Sequence, residues 1–260
     1  MEVLYKGISI EVTQEGKGPA VILLHGFLED SSMWDDMIPQ LSKRNRIIRF
    51  DLLGHGKTDC LGYVHSMEEM AEQVHAVITE LGLRKVAIIG HSMGGYVALA
   101  YAELYPDNLK GLGLFYSTAR ADSDLKKRDR DRAIATVKKD AKSFVRIAIP
   151  NLFRPKSREL FRPAIKDIKK KALATPVRGI VAALEGMKNR PDREVILHFA
   201  PYPILFVAGK KDPVLALEAS EEQMQAPSVS HKLLTPDGHM GHIENAEETT
   251  RAIYRFITSL

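Results

Sequence analysis

The sequence predicts an α/β protein: a doubly wound, mostly parallel sheet with a helical insertion lying over one edge of its strands. Three observations point there. Short runs such as Ala20–Leu24 (AVILL) and Lys85–Gly90 (KVAIIG) are apolar on nearly every residue, as strands buried on both faces must be. These runs alternate with helix-period patterns, the βαβ rhythm of a sheet covered by helices. Between residues 120 and 197 the rhythm stops, and the chain becomes helical, charged and proline-punctuated.

Taken in order, Val3–Tyr5 and Ile8–Thr13, with EGKG at 15–18, read as a hairpin or a pair of edge strands. Ala20–Leu24, Arg46–Asp51, Lys85–Gly90 and Leu109–Tyr116 are the next strands. Helical patterns fall between them at Met33–Leu41, Ser66–Leu81 and Met93–Tyr105. After the insertion, Pro203–Ala208 is a strand, Leu215–Met224 a helix, Ser230–Leu234 a strand and Asn245–Ile257 a closing helix. The expected division is a core domain of residues 1–119 and 198–260 and a helical cap of residues 120–197.

With 260 residues, 45% of them hydrophobic and 27% charged, the chain is long enough for a large core and has an ordinary globular composition. Met1 to Ile10 carry Glu2 and Lys6 and no apolar run ending in a small-residue cleavage site, so no signal peptide is expected. No stretch approaches the roughly 20 apolar residues that cross a bilayer. The single cysteine, Cys60, excludes an intrachain disulfide, and a reducing, cytoplasmic setting is expected. A net charge of +4 is too weak to argue for nucleic acid. Its distribution is uneven: residues 120–194 hold 22 basic and 10 acidic side chains, net +12, which leaves −8 for the remainder. The run KKRDRDR at 126–132 alternates in sign and reads as a solvated helix face.

Gly90-His91-Ser92-Met93-Gly94 fits the pattern G-x-S-x-G and sits between an expected strand and an expected helix. That context gives the pattern its meaning. A strand turning sharply into a helix at Ser92 forces positive φ there, exposes the hydroxyl, and admits only small neighbours beside the turn. The helix N-terminus behind the serine favours developing negative charge. Acyl transfer also needs two backbone N–H donors for the oxyanion. Met93, next after the nucleophile, is one candidate; Phe27, or its neighbour Leu28, in the loop after AVILL, is the other. His25, at the start of that loop, is expected to make structural hydrogen bonds.

A hydroxyl nucleophile needs a base, and the base needs an orienting carboxylate. Asp212 and His239 both follow late strands, where ligands bind in open parallel sheets. Asp122 is a rival acid, with helix capping its expected role. Asp212 precedes Pro213 and could instead start a helix; the two roles need different carboxylate orientations. His242 is a rival base, but it lies nearer the closing helix. His55, His91 and His231 fit less well. His239 and His242 sit three apart, yet no His/Asp/Glu cluster has convincing metal-ligand spacing.

Together these residues resemble the α/β-hydrolase superfamily over essentially the whole chain. LLHGF at 23–27, DLLGHGKT at 51–58, GHSMGG at 90–95, AGKKD at 208–212 and GHMGHIE at 238–244 match its signatures in order. The resemblance implies eight strands, a helical cap after the sixth, and neither metal nor cofactor. Leu53 and Thr58 depart from the family's D-x-P-G-x-G-x-S, where proline and serine are common. Ser92 argues against the haloalkane dehalogenases, which use an aspartate nucleophile.

The expected activity is hydrolysis of a small carboxylic ester by two-step acyl transfer, with Ser92 as nucleophile, His239 as base and Asp212 as acid. An enol-lactone, or a carbon–carbon bond beside a ketone, is the enzymatic alternative. A ligand sensor with slow or single turnover is the alternative of another class. The expected partner is a small ester or lactone, with no nucleic acid and no membrane span; monomer and dimer are both open. Leu28, Trp34, Met93 and Met240 flank the catalytic loops as candidate lining of an acyl site, and Phe144, Leu152, Phe153 and Met187 are the candidates within the cap. The cations of the basic insertion are expected foremost to keep amphipathic cap helices solvated; the sharper alternative is that some, such as Arg146 or Arg154, face the mouth and draw in anionic substrates.

Overall fold

The computed structural model describes all 260 residues. The chain opens with a hairpin of β1 (Glu2–Tyr5) and β2 (Ile8–Glu11), which form a separate two-stranded sheet. Beyond Val12, β3 (Thr13–Glu15) pairs antiparallel with β5 (Arg46–Arg49) at the edge of the main sheet. The other main-sheet strands are β4 (Ala20–Leu24), β6 (Val86–His91), β7 (Leu109–Phe115), β8 (Ile204–Gly209) and β9 (Val229–Thr235), all parallel. The main sheet therefore has seven strands, in the order β3-β5-β4-β6-β7-β8-β9, where one sheet of eight was expected. The count of eight is recovered only if β2 and β3 are taken as one strand broken at Val12, and the insertion then follows the sixth.

Alternation along each strand buries side chains on both faces. Ile22, Leu24, Ile48, Ile88, Leu112 and Phe206 face α2 (Met67–Glu80), α3 (Met93–Leu104) and the inserted helices. Val21, Leu23, Ile47, Ile89, Leu205 and Val207 face a 3-10 turn at Ser31–Met37, α1 (Ile38–Leu41) and α10 (Ala246–Thr258). Helix α2 starts where the sequence announces it: Ser66 Oγ accepts the Glu69 N–H at 3.0 Å, and Glu68 and Glu69 fill the first turn.

The insertion holds α4 (Asp124–Asn151), α5 (Arg162–Ala172), α6 (Val177–Asn189) and α7 (Glu194–Phe199). Helix α4 is two helices joined at Asp140 (φ −155°, ψ 84°), whose carboxylate caps the second by accepting the Ser143 N–H. Asp122 does not cap α4; Ser123 does, and Asp122 is instead buried between Arg130 and Arg190. The core resumes with α8 (Leu217–Met224) and, between β9 and α10, the single turn α9 (Gly241–Glu244). No helix is long and apolar enough to cross a membrane.

Strand order matters for function. The chain runs from β4 to β5 on one side, then crosses back so that β6 lies on the other side of β4. The loops leaving β4 and β6 therefore face each other at the switch point, where doubly wound sheets bind ligands.

Trp34 lies beneath the sheet in the fully buried layer, its ring 5.5 Å from that of Phe115. It packs against Met37, Ile38 and Leu41 rather than flanking an acyl site. Trp34→Ala should cost about 3–5 kcal/mol of stability, as large-to-small changes at buried aromatics do. Urea unfolding measures the loss, and KM for any ester turned over should stay within a factor of about two.

Candidate active site

The strand β6 to helix α3 junction holds Ser92 at φ 49°, ψ −111°, a strained conformation for a residue with a side chain. The surroundings over-determine it. Ser92 N–H donates to Phe115 O at 3.0 Å, and Ser92 O accepts from the Gly95 N–H and, at 2.7 Å, from the Ser117 hydroxyl. A Cβ at Gly90 would lie 2.1 Å from the Gly94 backbone, so only glycine fits beside the turn.

The turn lifts Ser92 Oγ to 2.9 Å from His239 Nε2, and His239 Nδ1 lies 2.7 Å from Asp212 Oδ2. The three predicted side chains thus form one hydrogen-bonded line. Asp212 does not start a helix, since α8 begins only at Leu217 behind Ala216; it joins the line to His239 and also holds a turn. While Oδ2 accepts from His239, Oδ1 accepts the Val214 and Leu215 N–H groups at 2.7 and 3.0 Å. Each oxygen has its own task, and the turn fixes the carboxylate's orientation.

The loop after β4 approaches from the other side. Leu28 has φ 62°, and neither the Phe27 N–H nor the Met93 N–H has an acceptor within the protein. His25 is structural, as expected: Nδ1 donates to Gly26 O at 2.8 Å and Nε2 accepts the Leu52 N–H at 2.8 Å. Thr58, at the family's serine position, donates its hydroxyl to Asp51 O at 2.8 Å.

Glu29, His91 and His242 were not foreseen as a group. Glu29 Oε2 accepts the Gly26 N–H at 2.9 Å and lies 2.6 Å from His91 Nδ1; His91 Nε2 reaches His239 O at 3.1 Å. Burial pushes the Glu29 pKa up, but the charge and hydrogen bond of His91 outweigh it and bring the pKa down to about 2. Burial lowers the His91 pKa, and Glu29 more than reverses this to leave it raised. His242 stands 3.8 Å from Glu29 Oε1, with Nδ1 unpartnered, and burial lowers its pKa to about 3. The ligand atoms of the three residues lie within 4.8 Å of one another, so they could hold a metal ion. Their present contacts are already those of a buried ion pair. No local spacing could have revealed the group, because Glu29 lies in the loop after β4, His91 at the end of β6 and His242 in α9.

A cavity of about 130 Å³ opens over Ser92. Leu28, Leu152 and Met187 line it as the sequence suggested, joined by Tyr96, Ile149 and Val214. Met240, Phe144 and Phe153 do not line it; Met240 and Phe153 are fully buried in the core. Nor do Arg146 and Arg154. Arg146 is exposed, and Arg154 donates to Ser157 Oγ and Pro236 O. The lining cations are Lys126 and Arg130, one turn apart on α4, within a run expected to face solvent.

A family model described as alpha/beta hydrolase fold matches residues 19–246. The chain belongs to this family. It resembles a thermophilic esterase of Thermogutta terrifontis, solved with malate bound, at 31% identity and TM-score 0.92, covering 100% of this chain and 98% of that one. An enol-lactonase of Burkholderia xenovorans superposes with TM-score 0.90 at 20% identity over 99% and 100% of the two chains, a likeness of fold. The pimeloyl-(acyl-carrier protein) methyl ester esterase of Methylococcus capsulatus is 26% identical over 97% of this chain and 99% of its own. This α/β-hydrolase is a hydrolytic enzyme.

The buried histidines of this α/β-hydrolase set a pH dependence. Burial lowers both His55 and His242 from 6.5 to about 3. The unfolded chain therefore binds more protons than the folded one throughout that window, and stability falls as pH drops through it. Each group contributes about 1.4 kcal/mol per pH unit at most. Urea-unfolding free energies should decline from pH 7 to pH 5, and His242→Asn should make that decline shallower by about 1 kcal/mol per unit.

Proposed function

We propose that this chain is a serine hydrolase of small carboxylic esters, lactones included, acting by two-step acyl transfer. The observation that carries the reading is the line from Ser92 Oγ through His239 to Asp212, at 2.9 and 2.7 Å, on a strained strand-to-helix turn. Ser92 is the nucleophile: as Oγ bonds to the carbonyl carbon, its proton passes to His239 Nε2. Asp212 keeps the imidazole in the tautomer whose Nε2 is free to accept, and stabilises the imidazolium that forms. The carbonyl oxygen, now an anion, takes hydrogen bonds from the Phe27 and Met93 amides. Collapse breaks the ester C–O bond, and the departing alkoxide takes the proton from His239. Water then attacks the acyl-enzyme by the same route and releases the acid. In this reading residues 120–197 are a cap that closes the acyl cavity with Ile149, Leu152 and Met187.

Ser92→Ala should abolish hydrolysis of p-nitrophenyl acetate while leaving the fold intact by circular dichroism. A fluorophosphonate should label Ser92 alone, and label on another serine would overturn the assignment. His239→Ala should lower kcat by several orders of magnitude, as removal of triad members does. His242→Ala should cost far less, since that ring does not reach Ser92; the reverse order of damage would make His242 the base.

Dialysis against EDTA should leave the rate unchanged, because each step above uses only a hydroxyl, an imidazole and backbone amides. A loss restored by added zinc would give Glu29, His91 and His242 a metal-binding role in its place.

A further inference from the structure

The catalytic cavity contains a cation that no carboxylate answers. Arg130 is occupied: with Arg190 it grips the buried Asp122, Arg190 Nη1 at 2.8 Å. Lys126, one turn before Arg130, is in no ion pair; its Nζ donates only to Val214 O, at 3.3 Å. An ammonium has three donors, so two remain for a ligand. Arg190 also stacks over the Tyr96 ring, 3.9 Å from its centroid, and Tyr96 lines the same cavity. Arg130 and Arg190 thus share the Asp122 carboxylate, while Asp122 and Asp129 act on Lys126 by charge alone, without an ion pair. Glu29, the other charged group in the lining, is already matched by His91.

The position of Lys126 is as informative as its charge. It borders both the cavity over Ser92 and a neighbouring groove of about 230 Å³ lined by Arg120, Arg190 and Leu215. The rest of the cavity over Ser92 is largely apolar: Leu28, Ala148, Ile149, Leu152, Met187 and Val214. A neutral ester would fill that apolar space and leave the ammonium half-desolvated and unpaired, which costs free energy. Burial and the charge of Arg130 both lower the Lys126 pKa, and an anion beside it would favour the charged form again.

We propose that Lys126 is the specificity-determining residue of this hydrolase, and that its substrate is a small ester bearing a carboxylate that pairs with the Lys126 ammonium while the ester carbonyl lies at Ser92. The inference rests on the reading of Ser92 as an ester-cleaving nucleophile and narrows its substrate class. It moves the source of anion selectivity from the exposed cap surface to one side chain in the cavity wall.

The test pairs monoethyl succinate, glutarate and adipate with neutral esters in which a methyl ketone replaces the free carboxylate. At low ionic strength, kcat/KM for the carboxylate ester should exceed that of its neutral partner by about 10-fold or more for at least one chain length. Lys126→Met and Lys126→Gln should each lower that ratio by about 10-fold or more, and Lys126→Arg should retain most of it. A ratio at or below one at every length, or a ratio unmoved by Lys126→Met, overturns the proposal. A second arm does not need turnover: glutarate should raise the Tm of the Ser92→Ala protein, and this rise should vanish in Ser92→Ala/Lys126→Met. An equal rise in both proteins also overturns it. Failure to hydrolyse any ester, p-nitrophenyl acetate included, would count against the esterase reading instead, and the Tm arm would then decide the anion site alone.

Discussion

Three loops from distant parts of the chain meet at Ser92, and the buried Glu29 carboxylate holds them together. It accepts the Gly26 N–H of the loop after β4 and pairs with His91, the residue before Ser92. His91 in turn donates to the backbone carbonyl of His239. One ion pair therefore ties the amide-bearing loop, the serine turn and the histidine loop into a single unit. Burying a carboxylate is costly unless it is paired and hydrogen-bonded; here Oε2 is both, while Oε1 has only His242 at 3.8 Å and no hydrogen bond. The side chains must fit without gaps: a Cβ on Gly26 would come within 2.4 Å of Glu29 Oε2 and 2.7 Å of His91 Nδ1.

The inserted helices are fastened to this unit and do not merely lie above it. His239 N–H donates to Leu152 O at 3.0 Å, just beyond the end of α4. Glu244 accepts the N–H groups of Gly238 and Arg154 on its two oxygens, bridging the histidine loop to the insertion. On the opposite side Arg193, almost fully buried, pairs with Glu103 at 2.7 Å and with Glu68. Part of the charge contrast between the basic insertion and the acidic remainder is thus spent in specific contacts across their boundary. Such pairs fix register as much as they add stability.

Much of this is legible in the amino-acid sequence. The strands at Ala20–Leu24 and Leu109–Phe115 and the Ser66 cap of α2 follow from local chemistry: continuous apolar runs, and a serine placed before a helical pattern. Positions 92, 212 and 239 could be singled out because each sits at the end of a strand in the chain order this fold requires. The broken strand at Val12 was not legible, since continuity across a break depends on which neighbour each half pairs with.

The sequence by itself determined the order of the elements, the serine turn and the acid and base candidates, because period, turn chemistry and chain order are local properties. Only the tertiary structure decided which side chains face which. Trp34 and Met240 stand near catalytic loops in sequence yet point into the core, while Lys126 and Arg130, in a run that reads as solvated, turn toward the cavity. A helix offers every residue some direction, and only its neighbours determine which direction is inward. The same holds for Glu29, His91 and His242, whose meeting depends on β4 and β6 lying side by side with the loop after β9 folded against them.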